Sequence, residues 1–186
     1  MLLPDSGRSY LSKVFSDDWM RRWGFLEEHP DGTRTVGDVL RARGLDGGPE
    51  STPPFVTVDG TATVEQALAA AAASSAGDGR PAENRTDQTV LIVAARPSRP
   101  DGLTAAEVTG SFSPARVAAD LAAGRVVGHA PVTAHADAPP PTVGVGQSPR
   151  DARAALGPAG SGPDAILVLR DGRAHAVLSR AELLTG

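Results

Sequence analysis

The stretch from Pro139 to Leu184 constrains the fold most, because its local signals all agree on one order of elements. Three prolines lead into Thr142-Val143-Gly144-Val145, which alternates as a short strand. Ser148-Pro149 then supplies a helix N-cap and a proline at the first helical position, predicting a helix to about Leu156. Ile166-Leu167-Val168-Leu169 is an apolar run too short for a helix. The turn residues Asp171-Gly172 and the stretch Ala174 to Leu178 make a β-hairpin with it. Ser179 opens a closing helix, Arg180 to Leu184, and Glu182 stands where a capping box places its acid. The order is strand, helix, strand, strand, helix.

A looser copy of this order precedes it. Pro53 to Val58 reads as a strand, Thr63 caps a helix carrying Val64, Ala67, Leu68 and Ala71, and Thr89 to Ala95 gives a second apolar strand. Val108 to Phe112 is the third strand, and Ser113-Pro114 repeats the cap-then-proline start of a helix through Leu121. Thr63 matches Ser148, each with an alanine four residues on, and Ser113 matches Ser179. The offset, roughly 65 to 85 residues, is too long for a solenoid and suits two small domains.

The second copy, from Thr142-Val143-Gly144-Val145 through Leu169-Arg170-Asp171-Gly172-Arg173 to Ser179-Arg180-Ala181-Glu182-Leu183-Leu184, resembles a CBS domain, and the two copies together resemble a tandem CBS pair, or Bateman module. The segment Leu2-Leu3-Pro4-Asp5-Ser6-Gly7-Arg8-Ser9-Tyr10-Leu11-Ser12-Lys13, followed by Asp17-Asp18-Trp19-Met20, is similar to the last stretch of the pyridoxal-phosphate catalytic domain of bacterial cystathionine β-synthases. The resemblance implies an α+β fold: two βαββα CBS domains packed as a pseudo-symmetric pair behind a helical N-terminal segment. The expected division is 1–32 as catalytic-domain remnant and linker, 33–128 as first CBS domain and 129–186 as second. Segments 74–88 and 96–103 are polar, low-complexity insertions that read as idle loops of the first copy.

Composition narrows the function. Of the 186 residues 40% are hydrophobic but only 4% aromatic, so the core is built from Val, Leu and Ala. A net charge of −4 with dispersed arginines gives no electrostatic case for nucleic acid or an anionic membrane. The absence of cysteine excludes disulfides and thiolate chemistry and fits a cytoplasmic location. No apolar run reaches the ~18 residues of a membrane span, and Asp5, Arg8 and Lys13 interrupt any signal-peptide core. His29, His129, His135 and His175 fall in separate segments without ligand spacing, and no metal is expected. Gly144-Val145-Gly146 lacks the third glycine of a dinucleotide fingerprint.

At the N-terminus, Leu11, Phe15, Trp19 and Trp23 recur at a spacing of four, the stripe of a helix that packs on the rest of the chain. Helices are expected near Ser9 to Phe15 and Asp17 to Trp23, and again from Val36 to Arg43 behind Thr35. Apolar side chains of residues 1–26 are expected to be partly exposed, so that deleting them improves solution behaviour.

The resemblance also implies the candidate site. CBS pairs bind adenosine-type ligands in clefts between their domains, marked by a Ser or Thr opening the last helix and an Asp three residues on, whose carboxylate accepts both ribose hydroxyls. Here Ser113 is followed by Arg116, and Ser179 by Glu182. The ligand-binding candidates are Ser179, Glu182, Val143, Val177 and Ser113. Arg116 cannot accept a hydroxyl, so the first site is expected to be lost or turned toward an anion; Glu182 can accept, or can serve only the capping box. Ser6 matches a serine that lies by the cofactor's pyridine nitrogen in the parent family. Pyridoxal-phosphate catalysis needs a Schiff-base lysine and a phosphate cradle, and the only lysine is Lys13, in the wrong motif. No catalytic residue and no cofactor are therefore expected in this chain, pyridoxal phosphate belonging to the parent family. The expected function is a regulatory CBS-pair module sensing S-adenosylmethionine or an adenosyl nucleotide. Its expected partners are a second copy, bound through the helices near Thr63–Ala73 and Ser148–Leu156, and a catalytic domain. The alternatives are a dimerisation module without ligand and a fragment of a β-synthase named by descent.

Overall fold

The computed structural model describes residues 16–30, 32–46, 55–77, 90–93, 102–158 and 164–184. The first half contains β1 (Val56–Asp59), α3 (Val64–Gly77), β2 (Val90–Val93), β3 (Val108–Phe112) and α4 (Pro114–Ala122); ahead of it stand α1 (Asp17–Arg22) and α2 (Val36–Ala42). The second half contains β4 (Thr142–Gly144), α5 (Pro149–Leu156), β5 (Ala165–Arg170), β6 (Arg173–Ser179) and α6 (Arg180–Leu184). Each half folds one three-stranded sheet, in the orders β1-β2-β3 and β4-β5-β6. In both, the first two strands run parallel and the last two antiparallel. A parallel pair needs a crossover, which α3 and α5 provide. The expected α+β architecture of two βαββα units is therefore present. The predicted strand Thr142 to Val145 stops at Gly144, although the Val145 N–H still bonds the Leu169 carbonyl at 3.0 Å.

The caps work as the sequence predicts. Thr63 and Gln66 exchange hydrogen bonds at 2.9 and 3.3 Å, and Ser148 and Asp151 form the same box in the second half. Ala67 and Ala152, four residues past those caps, are both fully buried, so small residues let each helix lie close on its sheet. The β5–β6 hairpin turns on Asp171 and Gly172 with φ of 51° and 74°, the all-positive pair of a type I′ turn.

β5 explains why its sequence is apolar without alternation. Ile166 and Val168 face a core with Val143, Val145, Ala152, Leu156, Leu178 and Leu183. Leu167 and Leu169, on the opposite face, join Val108 of the first half, with Trp23, Phe55, Leu103, Ala174 and Val177 packed around them. Covered on both faces, the strand has no polar side to show. The first core gathers Val56, Val58, Val64, Ala67, Phe112, Val117 and Val132.

Chain order and packing part company at two places. α2 was expected to open the first domain, 33–128, yet Val36, Val39, Leu40 and Leu45 are buried in the second core. Its first N–H groups bond the carbonyls of Gln147 and Val145, each at 2.8 Å. Conversely Val132, inside the expected second domain 129–186, is buried in the first core, and its N–H bonds the Ala62 carbonyl at 2.9 Å. Ala62 and Gln147 each precede an N-cap, so the two exchanges are copies of one arrangement. Each half is thus completed by the segment that leads into the other.

α1 forms as expected, capped by Ser16, whose Oγ accepts the Trp19 N–H at 3.3 Å. The expected helix at Ser9 to Phe15 and Ser6 lie outside the described residues, as do the insertions except for residues 74–77, which continue α3, and 102–103. Of the apolar side chains expected to be partly exposed, Trp19, Trp23 and Leu26 are half-buried and Phe25 is 41% exposed. Trp19 stacks on Phe25 with ring centroids 5.7 Å apart, and the Trp23 and Gly24 carbonyls accept the N–H groups of Gly172 and Asp171 at 2.7 and 3.2 Å. Gly144 and Gly146 make this possible. A Cβ on Gly144 would collide with the Arg21 carbonyl, and one on Gly146 with the Leu26 carbonyl. The pair of glycines that fails as a nucleotide fingerprint is a docking floor for backbone 21–27.

Candidate functional site

The marker positions of the second half lie at the β6–α6 junction, where a strand ends in a helix whose first N–H groups need acceptors. Glu182 Oε2 accepts the Ser179 N–H at 2.7 Å, and Ser179 Oγ accepts the Glu182 N–H at 3.3 Å. Arg43, from the end of α2, places Nη1 3.5 Å from Glu182 Oε1 and donates through Nη2 to the Glu182 carbonyl at 2.8 Å. The capping box anticipated for Glu182 is present, and both its carboxylate oxygens have partners. Next to it Arg180 donates to the Gly157 and Leu156 carbonyls at 2.9 and 3.3 Å, closing the end of α5.

At the equivalent place in the first half, Ser113 caps α4 and Arg116 points its guanidinium at Asp137, with Nη2 2.6 Å from the carboxylate. Arg116 therefore has an anion already, and it comes from the connection between the halves. Ser111, 2% exposed, exchanges backbone hydrogen bonds with Asp137 at 3.2 and 2.7 Å and donates through Oγ to the Ala138 carbonyl at 2.9 Å. These contacts stitch the halves together, as does the 2.7 Å bond from the Ala174 N–H to the Leu103 carbonyl.

The remaining candidates separate. Val177 is half-buried and faces the apolar cluster between the halves. Val143 is 1% exposed inside the second core, among residues of α2 and α5. Sequence reasoning placed Trp23 only on a packing stripe and missed the roles of Arg43, Asp137 and Ser111. Each reaches its place through a contact distant in the chain, and nothing in its own neighbourhood signals that contact.

Beside the hairpin lies a network of charges. Asp46 pairs with Arg170 at 2.5 Å and Arg41 at 3.4 Å, and Arg170 also meets Glu27 at 3.1 Å. Burial pushes the Asp46 carboxyl up, but the hydrogen bond and charge of Arg170, with Arg41, outweigh it and hold the group below the usual carboxylate value. His175 lies 3.6 Å from Asp46. Its own burial, then the positive charge of Arg170, hold it below the usual imidazole value, against the pull of Asp46. Among the described residues no group of His, Asp and Glu is arranged to hold a metal ion, and no helix is long and apolar enough to cross a membrane.

No protein-family model matches the chain. Solved structures do. A CBS domain protein from Pyrobaculum aerophilum, in complex with AMP, is 18% identical with a TM-score of 0.50, over 80% of this chain and 88% of its own. A CBS-domain-containing protein from Agrobacterium tumefaciens is 18% identical with a TM-score of 0.52, over 84% and 96%. The soluble part of a magnesium transporter is 14% identical with a TM-score of 0.52, over 97% of this chain and 57% of that one. At these identities the likeness is one of fold, and it agrees with the duplicated βαββα topology: the chain shares the fold of CBS-domain pairs.

Proposed function

We propose that the chain is a regulatory module in which a ligand held between the two halves alters how they sit on each other. The observation that supports this is the apolar cluster of Val108, Leu167 and Leu169, with Val177 at its side, which is shared by both halves and made by neither alone. A ligand entering there would act on a partner only through its different affinity for two arrangements of the halves. An adenosine-type ligand suits the reading, since the Pyrobaculum relative was solved with AMP. The ribose acceptor would be Glu182, with Ser179 at the helix start. To take two hydroxyls it must loosen its hold on Arg43, whereas its bond to the Ser179 N–H can remain. The chain order suggests units of 33–128 and 129–186, but we take residues 35–46 as part of the second functional unit because they fill its core.

The test is isothermal titration of the chain with AMP, ATP and S-adenosylmethionine, alongside Glu182→Ala. Saturable binding of any one of them, weakened at least about tenfold in the variant, is the expected result; a ribose hydroxyl bonded to a charged group is worth about 1.5–3 kcal/mol. Absence of binding by the folded chain favours the second reading, a dimerisation module without ligand that associates through α3 and α5. What supports that reading is that both marker positions have internal partners, Arg43 and Asp137. Descent from a pyridoxal-phosphate β-synthase rests on the similarity of Leu2 to Met20 alone. In that case a catalytic domain is the natural object of regulation, and co-purification with one is the check.

A further inference from the structure

Most described arginines are neutralised within the fold: Arg116 by Asp137 at 2.6 Å, Arg125 by Asp120 at 2.5 Å, and Arg180 by Asp164 at 3.2 Å. Arg34, Arg150 and Arg153 are not, and all three line one depression of about 450 Å³ where the connector before α2 passes the start of α5. Among the described residues none of the three has a carboxylate in ion-pair range; Arg153 only donates through Nε to the Pro149 carbonyl at 3.2 Å, leaving its two terminal nitrogens. The one acid in the lining, Asp151, has its carboxylate turned to Ser148, accepting the hydroxyl at 2.8 Å and the N–H at 3.3 Å. The helix end does not make this site. Pro149 has no N–H to offer, and Ser148 Oγ already takes the Asp151 N–H at 3.2 Å.

Three forked cations lining one concavity repel, in a chain whose net charge is −4. A ligand with several negative oxygens relieves that repulsion, and planar guanidiniums bind phosphate oxygens in pairs. We propose that this depression is a second ligand site, taking a small phosphate-bearing polyanion, and that it is separate from the cleft between the halves. Arg34 stands on the connector to α2, whereas Arg150 and Arg153 ride on α5, so an anion bridging them adds a contact at the seam where α2 already joins the second core.

The test uses the full chain with inorganic pyrophosphate as probe, titrated calorimetrically at low and moderate salt, for the native protein, Arg34→Gln/Arg150→Gln, Arg153→Gln and Glu182→Gln. Saturable binding that weakens with salt, falls at least about tenfold in the double variant and measurably in Arg153→Gln, and is unchanged in Glu182→Gln, is the expected pattern. These arginines are exposed, so the variants should fold, and circular dichroism checks it. No saturable binding by the native chain overturns the proposal. So does equal affinity in the double variant, and so does an affinity altered in Glu182→Gln as much as in the double variant, which would tie the anion to the β6–α6 junction.

Discussion

The two halves share one topology and differ in what surrounds it. In the second, β5 and β6 are joined by a two-residue turn, and their register runs from Arg170↔Arg173 to Ala165↔Ser179. In the first, β2 and β3 pair over only four positions, Val90↔Phe112 to Val93↔Val108, and fourteen residue positions separate them in the chain. Lengthening a connection costs little, since closure entropy grows only as the logarithm of its length, and the first half tolerates it without changing strand order. Among the described residues, the second half carries what the first lacks: a backbone strap, 21–27, laid on Gly144 and Gly146. A duplicated fold can thus diverge at its loops and its outer faces while its caps and buried alanines stay in step.

The largest way to break the comparison is in the cores. Leu178→Ala in the second half and Phe112→Ala in the first, both 1% exposed or less, should each cost about 2–5 kcal/mol in urea unfolding. Trp23 sits on the strap and Trp19 in the helix that leads into it, so fluorescence reports the segment docked on the second half while circular dichroism reports both halves. Coincident transitions in both variants are expected from the shared cluster; separate ones would mean that the halves fold independently.

Next comes the strap. Gly144→Ala should cost about 1–3 kcal/mol, as overpacking does, and should shift tryptophan emission to the red as the segment lifts; unchanged emission would refute the docking. For the same reason, removing residues 1–26 should harm solution behaviour, because it strips Trp23 from the cluster between the halves. This reverses the expectation formed from sequence.

Equivalent caps sharpen the comparison. Thr63→Ala and Ser148→Ala should each cost about 1 kcal/mol, and a large inequality would mean that the two helices are not equivalent. Arg116→Ala removes an ion pair with exposed partners and should cost at most about 1 kcal/mol, vanishing at high salt.

The finest effect is one of pH. His175 titrates lower in the folded chain than its ordinary value of 6.5, so the unfolded chain binds the proton first. Its contribution to stability is full above pH 6.5 and is lost as pH falls toward the folded value. A His175→Gln variant should flatten the dependence of Tm on pH in that window; an unaltered slope would assign it elsewhere. The aspartates 38 and 46, held below 3.8, add a second loss only in more acid solution.

Local chemistry explains how much was legible. Ser148-Pro149, Ser179 with Glu182, and Asp171-Gly172 act within a few residues, and a cap or a tight turn has few ways to be satisfied. The site was legible only in part. Ser179 and Glu182 were found through their local pattern, but Arg43, 139 residues away from Glu182, occupies the carboxylate oxygen that the pattern leaves free. For Val143, alternation along the strand marks its two faces, and only the fold turns it into the second core.

The sequence by itself determined the βαββα order, its repetition, and the starts and stops of its helices, because these follow from propensities, caps and turns acting over three or four residues. Only the tertiary structure decided that α2 fills the second core and Val132 the first, that Arg116 spends its charge on Asp137, and that Arg34 comes to line one depression with Arg150. Those outcomes depend on which apolar face finds another and which charges the fold brings together, and such contacts join residues from 21 to more than a hundred positions apart without leaving a mark in either neighbourhood.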